Sequence, residues 1–144
     1  MVEISTPPTE VTLTPENTLE CDLIGLTSLE AVAMSIKGSL ISWVIEYQGE
    51  PVAYWGFMPG SVCGNWCQAW MLSTPRAAEV PLVVALASKR AMAYLHDRYN
   101  AVVVNVDIRH GKAIKWLEWL GFTQSLRAPP FIIMTSERVE HGDT

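Results

Sequence analysis

Three cysteines and two internal histidines are the first residues to weigh for chemistry. Cys63 and Cys67 are spaced like half of a metal site. A structural zinc site needs four Cys or His ligands, normally in two close pairs. His96 and His110 stand apart in the sequence and supply no second pair, so no metal is expected and the thiols read as buried or strand residues. The odd cysteine count argues against a disulfide framework. A second group is Arg109-His110-Gly111-Lys112, which opens a predicted helix. Arg109 and Lys112 oppose the helix dipole there. That placement suits a docked anion or acidic partner, though plain surface charge is the simpler reading. Trp119 lies off the apolar stripe of the same helix, and exposed tryptophans are enriched at binding hot spots. Trp119, Arg109 and Lys112 are therefore the candidate partner-binding residues.

The elements that must position these residues follow from periodicity. Residues 1–10 read as a flexible lead-in arm. Val11–Leu13 reads as a short strand, and Thr14-Pro15 as the cap and first turn of a helix reaching Leu23. Ser28 is expected to cap a helix over Leu29–Lys37 with Leu29, Val32, Ala33 and Ile36 as its apolar face. Ser42–Tyr47 and Pro51–Phe57 form a hairpin about Gln48-Gly49-Glu50. Trp66–Leu72 is a strand apolar enough for burial on both faces, with Trp66 and Trp70 on one side. They line the sheet core or cover a notch beside it. A helix over Val80–Tyr99 buries Val84, Ala87, Ala91 and Leu95 and turns Lys89, Arg90, His96 and Asp97 outward. Ala101–Val106 is a β-branched strand of the buried parallel kind. Lys112–Leu120 is a helix closed by Gly121, and Phe131–Thr135 is the last strand. Trp43, Trp55 and Trp116 read as core.

The strand Trp66–Leu72, the helix Val80–Tyr99 and the strand Ala101–Val106 require a right-handed parallel crossover. The expected fold is α/β: a mixed, mostly antiparallel twisted sheet with helices on both faces. At 144 residues the chain fits one domain, residues 1–144. The net charge is −5, with ten Lys and Arg and the first of them at Lys37; without a basic stripe, nucleic acid is not an expected partner. A start without positive charge argues against a signal peptide, and the longest apolar stretch, Val80–Ala87, is far short of a membrane span. With 49% hydrophobic and only 17% charged residues, the chain either packs one tight core or buries surface against a partner, a second copy of itself included.

The order of elements, with Ala113-Ile114-Lys115-Trp116-Leu117-Glu118-Trp119-Leu120-Gly121-Phe122, resembles the GNAT acetyltransferase superfamily. Gly49-Glu50-Pro51-Val52-Ala53, the strand from Trp66 to Ser73, and Asn105-Val106-Asp107 ahead of that helix are similar to the small GNAT-like internal virion, or internal core, proteins of short-tailed bacteriophages. The resemblance covers roughly residues 40 to 135.

The resemblance implies acetyl-CoA chemistry and a site in which to look for it. That chemistry uses a glycine-rich loop after the fourth strand to offer N–H groups to a pyrophosphate. It also uses a carboxylate base, a tyrosine acid on the last helix and an asparagine near that helix's start. Here the loop reads Ser73-Thr74-Pro75-Arg76-Ala77-Ala78-Glu79-Val80-Pro81, with no glycine and two prolines that lack N–H. The strand before it carries no Asp or Glu, Leu117 stands at the tyrosine position, and His110 at the asparagine position. Candidate replacements are Met71 and Leu72 for pantetheine pairing, Arg76 for phosphate, His110 beside the cofactor, and His110 or Asp107 for proton handling.

The resemblance thus implies a phage virion-associated protein acting by protein–protein binding, with a degenerate cofactor site and no cofactor expected. Its partners would be other virion proteins or a host protein, and its place the virion or the host cytoplasm during infection. The alternatives are an acetyl-CoA-dependent N-acetyltransferase modifying a phage or host protein, and a small inhibitor of a host protein.

Overall fold

The computed structural model describes residues 1–60 and 64–138. The described residues form seven strands and four helices: β1 (Val2–Ile4), α1 (Pro15–Leu23), α2 (Ser28–Gly38), β2 (Ile41–Tyr47), β3 (Glu50–Pro59), β4 (Trp66–Ser73), α3 (Pro81–Arg98), β5 (Ala101–Asp107), α4 (Gly111–Leu120), β6 (Thr123–Ala128) and β7 (Phe131–Glu137). A 3-10 helix over Pro75–Glu79 lies between β4 and α3. The strand order is β1-β2-β3-β4-β5-β7-β6. β4 and β5 form the parallel pair, as the crossover argument requires. Their register covers Trp66↔Ala101 to Gln68↔Val103, while both strands run on beyond it. No described helix is long and apolar enough to cross a membrane.

The chain divides into two compact units. The first holds Met1–Met58 and Ala69–Ser88. In it α1 and α2 pack Cys21, Val32 and Ile36 with Val44 and Tyr54, and Trp70 and Leu72 lie against this cluster. Thr14 caps α1 by accepting from the Asn17 N–H at 3.2 Å. The cap of α2 is Thr27, one residue before the expected Ser28, because Glu30 completes a reciprocal capping box with it. The β2–β3 turn is Gln48-Gly49, with φ of +55° and +78°. Two successive left-handed residues make the turn whose twist matches a hairpin.

Residues 1–10, expected as a lead-in arm, contain β1, which pairs antiparallel with β2 through Val2↔Val44 and Ile4↔Ser42. The expected strand over Val11–Leu13 is absent; Leu13 is instead a buried member of the helix cluster.

Strand β4 is closed on one face and half-open on the other. Cys67 and Ala69 are buried, whereas Trp66, Gln68 and Trp70 are half-buried, so burial on both faces does not hold. In the first unit, the Trp70 ring lies over Gly56, where a Cβ would come within 2.5 Å of it. Its indole N–H donates to Ser39 Oγ at 2.6 Å. Trp43 and Trp55 are core residues, as expected.

The second unit holds Pro59–Gln68 and the chain from Lys89 on. Trp66 covers Gly60 in the same manner. β7 joins β5 along seven residue pairs, from Ala101↔Glu137 to Asp107↔Phe131. β6 adds on the outside with a bulge at Gln124/Leu126. All six of its residues are exposed, which is why no period-2 signal announces it in the sequence. Helix α4 buries Leu117 and Leu120 and ends at Gly121 with φ +107°. Trp116, expected in the core, is half-buried and stacks on Trp119.

Candidate cofactor loop and the residues around it

The chain after β4 is locked by its own hydrogen bonds. Thr74 donates both its N–H and its hydroxyl to the Val52 carbonyl at 2.9 Å. Ser73 faces the other way: its N–H donates to Asn17 Oδ1 and its carbonyl accepts from the Thr14 N–H, both at 2.9 Å. Antiparallel strands bond to a neighbour with every second residue. Thr74, Leu72 and Trp70 therefore address β3, and Ser73 and Met71 address the opposite edge. The predicted pantetheine contacts thus separate. Met71 addresses the edge away from β3, whereas Leu72 pairs toward β3 and packs its side chain on the α1–α2 cluster.

The loop itself is wound into the 3-10 helix. The Ala77 N–H bonds the Thr74 carbonyl and the Val80 N–H bonds the Ala77 carbonyl, at 3.0 and 3.3 Å. Pro75 and Pro81 contribute no N–H. A Pro-flanked turn that bonds two of its amides internally differs from a glycine-rich pyrophosphate cradle.

Arg76, the predicted phosphate ligand, points to the β2–β3 turn. Its guanidinium lies 3.3 Å from Glu50 Oε2 and 3.3 Å from Gln48 Oε1, with Cζ 5.8 Å from the Tyr47 ring centre. Glu50 offsets the charge that a phosphate would need. The residues present do not fit an acetyl-CoA pyrophosphate.

In the second unit, Asp107 ends β5 with 2% of its surface exposed. Its Oδ1 accepts from the Arg109 main-chain N–H at 2.8 Å and side-chain Nε at 3.1 Å. Its Oδ2 accepts from Arg109 Nη2 at 2.7 Å. These hydrogen bonds to Arg109 hold the carboxyl below the usual carboxylate range despite burial. A carboxylate so well satisfied is a weak base. Asp107 therefore anchors the turn into α4, and the predicted proton-handling role has no geometric support. Arg109 is correspondingly spent on Asp107, although its side chain is still 58% exposed. His110 is the residue before α4; its N–H donates to the Asp107 carbonyl at 2.9 Å and its side chain caps nothing. Leu117, at the position where the resemblance would place a tyrosine, is buried.

Trp119 is 52% exposed. It stacks on Trp116 at 5.2 Å, and Lys89 Nζ sits 4.4 Å from its ring centre. Lys112 is exposed on the same face of α4, one of the set at i, i+3, i+4 and i+7 with Lys115, Trp116 and Trp119.

One polar pair escaped the sequence reading. His96 Nε2 and Ser136 Oγ are 2.9 Å apart, in a cavity of about 620 Å³ that Asp97, Gly121 and Arg138 also line. Burial lowers the His96 pKa below its usual value, so the imidazole is neutral near pH 7. A main-chain hydrogen bond with Tyr99 also acts on the imidazole. The pair ties α3 to β7. No local spacing signals a contact between residues 40 apart.

Among the described residues no group of three His, Cys, Asp or Glu could hold a metal. Cys67 is buried and its thiol is pushed up to about 12 by desolvation. The proposed Cys63 partner lies outside the described residues.

No protein-family model matches the chain, and no curated protein matches it. Solved structures do. A spermidine N-acetyltransferase SpeG chimera from Vibrio cholerae and hSSAT aligns at TM-score 0.56 and 13% identity, covering 68% of this chain and 66% of its own. The aminoglycoside acetyltransferase AAC(6')-Ib in complex with ribostamycin and coenzyme A aligns at 0.57 and 15%, covering 75% and 68%. The protein smu.2055 from Streptococcus mutans UA159 aligns at 0.63 and 11%, covering 81% of both. The chain thus spans about two thirds of the length of the first two of these chains. These likenesses establish the GNAT acetyltransferase fold.

Proposed function

We propose that this chain uses the acetyltransferase fold as a protein-binding scaffold, in a virion or during its assembly, and does not turn over acetyl-CoA. The observation that carries the reading is the state of the cofactor loop. Two of its amides close a 3-10 turn between two prolines, and its arginine is paired with Glu50. The virion setting rests on the resemblance of residues 40 to 135 to internal virion proteins of short-tailed phages. The partner is then a virion protein, or a host protein met in the cytoplasm.

The test is a calorimetric titration with acetyl-CoA. The scaffold reading expects no binding up to millimolar cofactor. Micromolar binding overturns it and favours the second reading, an N-acetyltransferase acting on a phage or host protein. That second reading has its own support: solved structures of this fold are acetyltransferases, one of them bound to coenzyme A. The comparisons taken alone lean toward it; the loop geometry leans against it. Detection in purified particles supports a virion component, whereas detection only in infected cells supports an inhibitor of a host protein.

A further inference from the structure

The charges of this chain are segregated. Its first 36 residues hold six of the fifteen acidic residues and none of the ten basic ones. Within that stretch, α1 carries Glu16, Leu19, Glu20 and Leu23 at i, i+3, i+4 and i+7, which is one helical face. Leu19 and Leu23 are 52% and 45% exposed, and Ile24 beside them is exposed too. An apolar-acidic face of this kind has the pattern of a helix that docks.

Helix α4 shows the complementary pattern at the same spacing: Lys112, Lys115, Trp116 and Trp119. Lys89 extends it from α3 over the Trp119 ring, 4.4 Å from its centre. A stacked tryptophan pair ringed by lysines offers a large rigid apolar contact with a cationic rim. The rest of the molecule is net acidic, so this patch is where an acidic helix is attracted rather than repelled.

We propose that the Lys112–Trp119 face of α4 binds the Glu16–Leu23 face of α1 on a second copy of this chain. The contact pairs two different surfaces, so it closes as a dimer where both copies of it form at once and repeats into a ring or a filament where they do not. One helix face on another is a small interface, which places the affinity in the micromolar range or weaker. The inference goes beyond the scaffold reading and stands whichever way the acetyl-CoA titration falls.

The test is sedimentation velocity on the full chain across concentration and salt. The expected result is assembly that grows with concentration and weakens as salt rises. Trp119→Ala should weaken it at least roughly tenfold, as loss of a hot-spot aromatic does. Two charge-reversed variants give the discriminating measurement: Glu16→Lys with Glu20→Lys, and Lys112→Glu with Lys115→Glu. Neither should assemble alone, because each presents like-charged faces, and their mixture should associate. A chain that stays monomeric at low salt overturns the proposal. So does assembly that these variants leave unchanged, or a mixture of the two that remains monomeric.

Discussion

Gly56→Ala is expected to destabilise the fold by about 2 kcal/mol, and the number can be built from the contact it makes. The new Cβ would stand 2.5 Å from three atoms of the Trp70 ring, whereas carbon atoms rest about 3.5–4.0 Å apart. The ring must move by about 1 Å or more. Overpacking of this kind costs about 1–3 kcal/mol. Displacing Nε1 also breaks its 2.6 Å bond to Ser39 Oγ, worth about 1 kcal/mol. Alanine restricts the unfolded chain and returns about 0.4–1 kcal/mol. Trp70 is half-buried, so the ring can escape outward and the lower half of the overpacking range applies. Urea unfolding reads the result as a midpoint lowered by about 1 M at an m-value of about 2 kcal/mol/M. Gly38→Ala is the control: its Cβ meets nothing within 4 Å, and the same substitution there should raise the midpoint slightly. An unchanged midpoint in Gly56→Ala would refute the packing of Trp70 over β3. So would a penalty that survives intact in a Trp70→Leu background.

Arg109→Ala removes two of the three donors to the buried Asp107 carboxylate and should cost about 1–3 kcal/mol in urea unfolding at neutral pH. The Asp107 pKa is lowered on folding. Its contribution is therefore full above the unfolded value of about 3.9 and is lost as pH falls through the lower folded one. Asp107→Asn should flatten the acid limb of the stability curve below about pH 4. The His96 pKa is lowered by burial, so its neutral form favours folding above about pH 6.5 and stability drops as pH falls through the folded value. His96→Gln should remove that slope, measured by denaturation between pH 7 and 5. Cys67 and Cys21 are both buried with raised pKa values, so a Cys63→Ser variant should react with Ellman's reagent only at the rate of unfolding.

The sequence carried the helices and the central strands because each has a strong local signal. Val84, Ala87, Ala91 and Leu95 are all buried on α3, as their spacing requires. Gly121 closes α4 in the left-handed conformation that only a cap of that kind needs. Two edge strands were silent for the opposite reason. β1 is three residues long, and β6 exposes every side chain, so neither has a burial pattern to write into the sequence. The missing glycines of the loop were visible directly. The fate of its arginine was not, because Arg76 meets Glu50 through a hairpin 26 residues earlier in the chain. His96 and Ser136 likewise meet only through the β5–β7 pairing.

Strand β3 and strand β6 differ in the lifetime of their backbone hydrogen bonds. Val52 to Phe57 are buried without interruption, and β3 runs between β2 and β4. Its amides can exchange with solvent only when the molecule opens globally. β6 is paired on one side alone and bathed in water on both faces, so its amides exchange through local fraying that leaves the core closed. In deuterium, the chain should label from this margin first and from β3 last.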